Sequence, residues 1–392
     1  MTEEPVRIGV SGLGRGFMLT LPGLLHHPRI RLVAAADPRP EARERFAAEL
    51  GGSAYEDFAA LCADDQVELI YIASPHAFHA GQAIAAAQAG KHVLVEKPMA
   101  LDLAECRAMV AASEAAGVHM MVGPSHGYDS PIALTRSLIE SGVYGRVRMM
   151  SMLTYTDFLH RPRRPEELDP EQGGGVVFSQ AAHQIDIVRR LAGSELRSVF
   201  ARVGDWDAAR PSEGAYTASL AFADGAFASL TYSGYGNFDS DELCGWISEL
   251  GTPKKPGAIA GRPPLPGPGA DETALKMSRA FGARGIEAAA PPPHHEHFGQ
   301  LIVSCDRADF RPTPTAVHEY GPDGTRLHPL APPRSARAEV LDEAVAAVRD
   351  GIAPLHDARW GAATIAACAA LRQSAHERRE IAIPPAQAVR LG

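Results

Sequence analysis

The first 124 residues alternate short apolar runs with stretches in which apolar positions recur at helical spacing. The apolar runs predict β-strands at 6–11, 31–36, 68–73, 92–95 and 118–122, and the intervening stretches predict helices, for example at 40–50, 77–89 and 102–116. Strands that alternate with helices in this way are typical of a doubly wound parallel sheet. We therefore predict an α/β domain at residues 1–124, ending near Gly123-Pro124.

The pattern changes after a predicted helix at about 130–141. Alternating apolar and polar positions then predict mostly antiparallel strands, and Asp224-Gly225 predicts a hairpin turn between two of them. The predicted elements are strands at 146–156, 196–204, 215–223, 226–234 and 299–304, and helices at 176–192, 336–351 and 358–376. We predict an α+β domain over 125–392 with an open, mostly antiparallel sheet. Its Pro- and Gly-rich stretch 251–293 predicts a long surface excursion or lid.

Composition narrows the function classes. The sequence has 392 residues, 45% of them hydrophobic, which suffices for two domains, and its net charge of −9 argues against nucleic-acid and anionic-membrane partners. No apolar stretch reaches the about 20 residues of a membrane helix, and the acidic N-terminus indicates no signal peptide. Five scattered cysteines without a CxxC pair indicate reduced thiols. We expect a cytoplasmic protein that acts on a small molecule.

A glycine-rich turn follows the first predicted strand. Gly12-Leu13-Gly14-Arg15-Gly16-Phe17 gives most of a dinucleotide-binding fingerprint, in which Gly12 permits the tight turn and Gly14 lets a pyrophosphate approach the backbone. The N–H groups of the following helix would then bind the anion. The third glycine position holds Phe17, and Gly16 lies one position early. The alternative is an ordinary glycine turn.

Asp37 ends the second predicted strand. An acidic residue there can bind the adenosine ribose hydroxyls and repels a 2′-phosphate, so we expect NAD rather than NADP. Arg39, two residues later, could serve a phosphate instead. The alternative for Asp37 is a turn residue before Pro38.

Val95-Glu96-Lys97-Pro98 closes the fourth predicted strand. A lysine at a strand tip of low dielectric loses part of its preference for the charged form, so Lys97 can exchange protons near neutral pH. The alternative is a surface lysine that pairs with Glu96. Further residues predicted to line the cofactor cleft are Ser74, Pro75, His79 and Glu96, although His79 could simply begin a helix.

A second set of candidate residues lies in the predicted helix 176–192, which follows Gly173-Gly174-Gly175. Ser179 and His183 are spaced i, i+4 and would share a face, and His183 can act as an acid or base near pH 7. The alternative is a core histidine whose ring is hydrogen-bonded to a backbone carbonyl.

A compact basic loop follows Tyr155. Its three arginines, Arg161, Arg163 and Arg164, are candidates for binding a substrate carboxylate, because guanidinium groups bind carboxylates bidentately. The alternative is a solvated loop whose arginines pair with the neighbouring Glu166 and Glu167. His294-His295-Glu296-His297 lies outside a helix and has no second ligand cluster in view, so we expect no metal.

Together these residues resemble the glucose–fructose oxidoreductase/inositol dehydrogenase (Gfo/Idh/MocA) family over nearly the whole chain. The most specific motifs are Glu96-Lys97-Pro98 and the stretch from Gly173-Gly174-Gly175 to His183-Gln184-Ile185-Asp186. The resemblance implies a Rossmann domain and an open-sheet domain, Lys97 and His183 on either side of the nicotinamide, and dimers or tetramers built through the second sheet.

Two stretches, 155–168 and 304–312, resemble the phthalate cis-4,5-dihydrodiol dehydrogenase subgroup. Sugar and inositol members carry an aspartate where this chain has Ser179, and the family's Asn-Arg pair is replaced by Ser125-His126. The weaker grip on a hydroxyl argues against a polyol substrate.

The leading hypothesis is an NAD-dependent dehydrogenase of a cyclic carboxylated cis-diol, with phthalate cis-4,5-dihydrodiol as the best guess and 4,5-dihydroxyphthalate as product. The alternatives are a sugar or inositol dehydrogenase, and a nucleotide-sensing or scaffold protein without turnover.

Overall fold

A computed structural model describes residues 4–257, 259, 271–283 and 291–383. Its internal contacts divide the chain into two units. Unit 1 comprises Met1–Pro124, Asp271–Pro291 and Arg334–Ile365, and unit 2 comprises Ser125–Ala270, Pro292–Pro333 and Ala366–Gly392. The described residues contain no helix that is long and apolar enough to cross a membrane.

Unit 1 contains a parallel six-stranded sheet in the order β3-β2-β1-β4-β5-β6. Its strands are β1 (Val6–Ser11), β2 (Ile30–Ala36), β3 (Ser53–Tyr55), β4 (Leu69–Ile72), β5 (His92–Val95) and β6 (Met120–Val122). β4 and most of β5 are fully buried, which explains why they are continuous apolar runs. The strand order reverses between β1 and β4, the place where open α/β sheets bind ligands.

The described helices of unit 1 surround this sheet in sequence order. They are α1 (Arg15–His26), α2 (Pro40–Leu50), α3 (Phe58–Cys62), α4 (His79–Gln88) and α5 (Leu103–Ala116), and, later in the chain, α8 (Glu272–Met277) and α9 (Ala338–Asp350). The α/β architecture predicted for the N-terminal part is thereby confirmed.

Unit 2 contains a nine-stranded sheet in the order β14-β13-β12-β11-β7-β10-β9-β8-β15. Its strands are β7 (Val147–Tyr155), β8 (Leu196–Gly204), β9 (Ala215–Phe222), β10 (Phe227–Ser233), β11 (Gln300–Cys305), β12 (Asp309–Pro312), β13 (Ala316–Gly321), β14 (Gly324–Pro329) and β15 (Ile381–Ala382). Only β10 and β7 pair in parallel, so the mostly antiparallel sheet is confirmed. β9 and β10 form the predicted hairpin, in which Gly225 has φ +88°.

Helices α6 (Ser130–Glu140) and α7 (Ala182–Ala192) contact this sheet. The regular helix predicted at 176–192 is wrong over its first part, because Val177–Ala181 form a π-helical turn before α7 begins. The last helix, α10 (Ala358–Glu377), contains the division between the units at Ile365/Ala366.

Two segments that the sequence analysis placed in the second domain pack with unit 1. These are 271–291 and 334–365, and α9 within the second of them contacts β1 and α1. An amphipathic helix does not encode in its own pattern which sheet it covers. Of the predicted excursion 251–293, residues 258, 260–270 and 284–290 lie outside the described residues, and α8 is formed within the described part.

Candidate functional site

Gly12 lies directly after β1, at the reversal of strand order in unit 1. Its φ is +89°, and a Cβ atom there would fall 2.8 Å from the backbone N and Cα of Ser74, the second residue after β4. Any other residue would therefore combine a disfavoured backbone conformation with a clash. The two strand ends that carry the predicted cofactor residues meet at this glycine.

The N-terminus of α1 follows at once. Gly14 is its N-cap, no side chain caps the helix, and a Cβ at Gly14 would meet nothing within 4 Å. The N–H groups of Arg15 and its neighbours thus begin a helix in front of open space, which fits the pyrophosphate of a dinucleotide.

The apparent defect in the glycine fingerprint has a structural explanation. Phe17, at the third glycine position, is fully buried and packs edge-on against Phe281 at 5.5 Å. Gly16 takes over the close approach of helix to strand, since a Cβ there would lie 3.2 Å from Glu96 Oε1 and 3.6 Å from Ala73 Cβ. The fingerprint is shifted by one residue, and its packing function is retained.

Asp37 is nearly fully buried beside the glycine turn. Its Oδ2 accepts a hydrogen bond from the Leu13 N–H at 2.8 Å, and Arg39 donates from Nε to Oδ1 at 2.9 Å and from Nη2 to Oδ2 at 3.0 Å. Arg39 also donates to the carbonyls of Leu13 and Phe281. The acidic strand tip thus holds both the turn and the arginine that could otherwise serve a phosphate.

Glu96 and Lys97 follow β5, and the Lys97-Pro98 peptide bond is cis. Glu96 Oε1 accepts from Tyr71 Oη at 2.7 Å and from Arg337 Nη1 at 3.2 Å. Burial and the carboxylate of Glu96 both raise the pKa of Tyr71 well above its usual value, so the phenol remains a proton donor. Glu96 therefore anchors the segment that carries Lys97, and the predicted Lys97–Glu96 surface pair gains no support from these contacts.

His79 was predicted to bind cofactor, but it is fully buried. Its Nδ1 lies 2.9 Å from the carbonyl oxygen of Pro98, and its Nε2 lies 2.9 Å from that of Ser74. The ring thus joins the segment after β4 to the segment that carries Lys97, and a supporting role replaces direct contact. Ser74 in turn donates its hydroxyl to Gln82 at 2.7 Å.

In unit 2, His183 lies in the first turn of α7 and is only 5% exposed. Ser125 Oγ donates to Asp186 Oδ2 at 2.7 Å and lies 3.3 Å from His183 Nδ1. Because the serine proton is directed to Asp186, the serine oxygen is left to accept from Nδ1–H, and Nε2 of a neutral ring is the proton acceptor. Sequence reasoning missed Ser125 and Asp186 as a support of His183, although both lay in the motifs it compared.

A buried charged cluster borders His183. The ring of His126 contacts that of His183 with centroids 4.8 Å apart, and Phe298 contacts both rings. His126 Nδ1 lies 2.7 Å from Asp129 Oδ2, and its Nε2 lies 3.5 Å from Glu249 Oε1. Burial opposes protonation, but the two carboxylates outweigh it and raise the pKa of His126 to about 10. None of these three residues was predicted as a site residue.

The three arginines of the basic loop have different surroundings. Arg163 stacks over the Phe158 ring at 3.5 Å, and Arg164 lies 3.0 Å from Glu166 and 3.5 Å from Glu167. Both therefore serve the local structure of the loop.

Arg161 differs from the other two. It pairs with Asp157 at 2.8 Å, and it also lies in the field of Glu249, the carboxylate beside His126. Burial opposes the charge on Arg161, but Glu249 and Asp157 outweigh it and raise the pKa of the guanidinium. Of the three predicted carboxylate ligands, Arg161 alone is tied electrostatically to the His126–His183 region by these contacts.

The other predicted substrate residues lie on the same unit. Ser179 is in the π-helical turn and donates its hydroxyl to the carbonyl of Gly175, so this hydroxyl is held by the backbone. Its neighbour Gln180 is buried and accepts from Tyr232 Oη at 3.2 Å. Tyr155 ends β7 and packs edge-on against Phe238.

Two family models match this chain. An oxidoreductase family with an NAD-binding Rossmann fold (Gfo/Idh/MocA) matches residues 6–124, and the Gfo/Idh/MocA C-terminal domain matches residues 132–244. These matches confirm the predicted family and its NAD-binding domain.

Individual relatives agree with the models. The chain is 42% identical to 1-carboxy-3-chloro-3,4-dihydroxycyclohexa-1,5-diene dehydrogenase of Comamonas testosteroni over 93% of this chain and 94% of that protein. It is 31% identical to scyllo-inositol 2-dehydrogenase (NAD⁺) of Bacillus subtilis over 50% of this chain and 57% of that protein. A crystal structure of a Bordetella bronchiseptica dehydrogenase superposes with a TM-score of 0.92 at 38% identity, covering 97% of this chain and 100% of that one.

The glycine turn, the open N-terminus of α1 and the matches over both parts of the chain lead to one conclusion. The chain belongs to the Gfo/Idh/MocA family and is an oxidoreductase with an NAD-binding Rossmann domain.

Proposed function

We propose that this protein is an NAD-dependent dehydrogenase of a cyclic carboxylated cis-diol, with phthalate cis-4,5-dihydrodiol as the best single substrate and 4,5-dihydroxyphthalate as product. The observation that carries the proposal is the 42% identity, over nearly the whole chain, to a dehydrogenase whose substrate is a carboxylated dihydroxycyclohexadiene. The location of Arg161 and the backbone-bound hydroxyl of Ser179 support it.

The reaction would divide between hydride and proton. NAD, when bound, accepts the hydride from a carbinol carbon. Lys97, assisted by His183, accepts the proton of the hydroxyl on that carbon, and a C=O bond forms. The resulting hydroxy-ketone rearranges by proton transfer to the catechol, with no further change in oxidation state. Aromatisation of the ring then makes the step nearly irreversible.

His183 suits the assisting role because of its support. The Asp186–Ser125 pair holds the proton of the neutral ring on Nδ1 and leaves Nε2 as acceptor. His79 and Glu96 would hold the Lys97 segment in place from the other unit's own sheet. These supports favour a catalytic reading of both residues over a sensing protein without turnover.

Arg161 is the residue we assign to the substrate carboxylate. Arg164, which pairs with Glu166 and Glu167, is the matched control because it carries the same charge in the same loop. Losing a charge-assisted hydrogen bond at a desolvated site costs about 1.5–3 kcal/mol, or roughly 10–150-fold in kcat/KM.

The test is NADH formation, measured by absorbance, from a carboxylated cis-dihydrodiol, an uncharged cis-dihydrodiol of similar shape, and myo-inositol. We expect turnover of the carboxylated diol, a sharply raised KM for it in Arg161→Gln, and little change in Arg164→Gln. Lys97→Met should bind NAD without turnover. Faster oxidation of inositol, or an equal effect of Arg161→Gln on charged and uncharged diols, would favour the sugar or inositol reading. The 31% identity to an inositol dehydrogenase over half of the chain keeps that second candidate open.

A further inference from the structure

The motif His294-His295-Glu296-His297 is used by neither part of the proposed reaction. Two of its histidines are satisfied by backbone: His295 Nε2 lies 2.7 Å from the carbonyl of Ala331, and His297 Nε2 lies 2.8 Å from that of Ile247. Glu296 is different, because the fold brings it to His126 and Asp129. The sequence analysis expected no metal since it saw no second set of ligands, and the structure supplies that set.

We propose that His126, Asp129 and Glu296 bind one divalent transition-metal ion. One donor atom from each residue lies within 4.8 Å of the other two, and among the residues that the structure describes this is the group of three that comes together in this way. The donors come from a 3₁₀ turn, the residue after it, and the segment before β11. An imidazole with two carboxylates suits ions such as Zn²⁺, Mn²⁺ and Co²⁺.

The local geometry needs little adjustment. His126 and Asp129 are spaced i, i+3 across a 3₁₀ turn, which places their side chains on one side, and Nδ1 is 2.7 Å from Oδ2. Two ligands of one ion at 2.0–2.2 Å lie about 3–3.5 Å apart, so a separation of a few tenths of an ångström would admit the ion at Nδ1. Nε2–H would then face Glu249, as metal-bound histidines commonly face an outer carboxylate.

Space and charge support the same site. Asp129 and Glu296 both line a cavity of about 20 Å³, room for roughly one water-sized species, whose other walls include Ile132, Met152 and Leu301. Three carboxylates surround the single imidazole of His126: Asp129, Glu249 and Glu296. One imidazolium charge does not balance them, and a divalent ion would offset carboxylate repulsion in this partly apolar setting.

The experiment uses the full-length protein and Co²⁺, whose visible absorption reports coordination by protein ligands. After treatment with a chelator and its removal, we expect one Co²⁺ per chain by calorimetry, with an intense visible band. Asp129→Asn and Glu296→Gln should abolish the band, and Glu249→Gln should weaken binding about 10–100-fold, as outer-shell changes do.

Glu319→Gln is the matched control, because Glu319 forms a carboxylate–histidine pair of the same 2.7 Å length with His328 elsewhere in unit 2. It should leave Co²⁺ binding unchanged. Circular dichroism identifies any variant that fails to fold, and the wild-type titration decides the question by itself. Wild-type protein that binds no Co²⁺, or that loses binding equally in Glu319→Gln, would show that His126 is an ion-paired imidazolium and would overturn the proposal.

Discussion

The pair of Asp37 and Arg39 controls cofactor choice in our interpretation of unit 1. Arg39 lies across both carboxylate oxygens of Asp37, so its charge is already used, and a 2′-phosphate would meet a carboxylate first. We expect NAD to exceed NADP by at least about tenfold in kcat/KM, equivalent to about 1.4 kcal/mol. Asp37→Ser should release Arg39 and narrow the ratio. Steady-state rates with both cofactors, together with NADPH binding by fluorescence, measure it.

The double variant Asp37→Ser/Arg39→Ala separates two explanations. If Arg39 is the group that receives the phosphate, the gain for NADP in the single variant should disappear in the double one. A gain that persists would mean that removal of the negative charge suffices. Equal use of both cofactors by wild-type protein would contradict the assignment of Asp37.

The residues that sequence reasoning found are those whose position follows from chain order. Gly12, Asp37 and Lys97 each follow a parallel strand, and the carboxyl ends of such strands share one edge of a sheet. Asp129, Glu249 and Glu296 could not be found in this way. They come from distant segments of a mostly antiparallel unit, and only the fold shows that the first two pair with His126 while the third completes the group.

At the scale of elements, the turn before α7 is the most constrained feature of the site. Gly175 has φ +83°, and a Cβ there would lie 2.8 Å from Glu213 Cδ and 3.1 Å from the Glu213 carbonyl oxygen, which also accepts from the Val176 N–H. Gly175→Ala should therefore cost more than the about 1–2 kcal/mol of a left-handed conformation, by a further about 1–3 kcal/mol for the overpacking. Urea unfolding followed by circular dichroism gives the difference.

Gly51→Ala is the control for this change. Gly51 has φ +70° and ends α2, but a Cβ there meets nothing within 4 Å. It should show the conformational cost alone. If the two variants lose the same stability, Glu213 moves aside freely and the turn before α7 is not fixed by this contact.

The same region shows where prediction of elements stops. Apolar positions at 177, 181, 185 and 188 fit a regular helix, yet Val177–Ala181 form a π-helical turn. Periodicity averaged over a helix does not register a single widened turn, and such turns occur frequently at functional sites. Strands β12, β13 and β14 were also not predicted, because β12 and β14 are short and β14 is largely exposed, so their alternation is weak.

At the scale of the whole molecule, the chain returns to unit 1 after forming most of unit 2. Segments 271–291 and 334–365 are required by unit 1: Phe281 packs on Phe17, and Arg337 binds Glu96. A cut of the gene at residue 124 would therefore remove part of the support of the cofactor-binding residues. Residues 1–124 match a family model, but the contacts show that this stretch is not the complete unit.

The sheet of unit 2 leaves an apolar surface on one side. Met149 and Phe227 are direct neighbours on β7 and β10, and Ile302 on β11 lies opposite Ser151, which shares the face of Met149. These three side chains are 41%, 47% and 37% exposed. Contiguous exposed apolar residues on a sheet are typical of an interface between protein copies, so we predict a dimer or tetramer built through this face.

Phe227→Arg tests the predicted assembly, because it puts a charge at the centre of that face, where an apolar contact between copies would have to desolvate it. We expect multi-angle light scattering to give a dimer or tetramer for wild-type protein and a smaller species for the variant. Ile352→Lys is the control, since Ile352 is 60% exposed and lies in unit 1, away from the sheet. It should keep the wild-type mass. A monomeric wild-type protein, or a Phe227→Arg protein of unchanged mass, would place any assembly elsewhere and leave the apolar face as an exposed surface of the sheet.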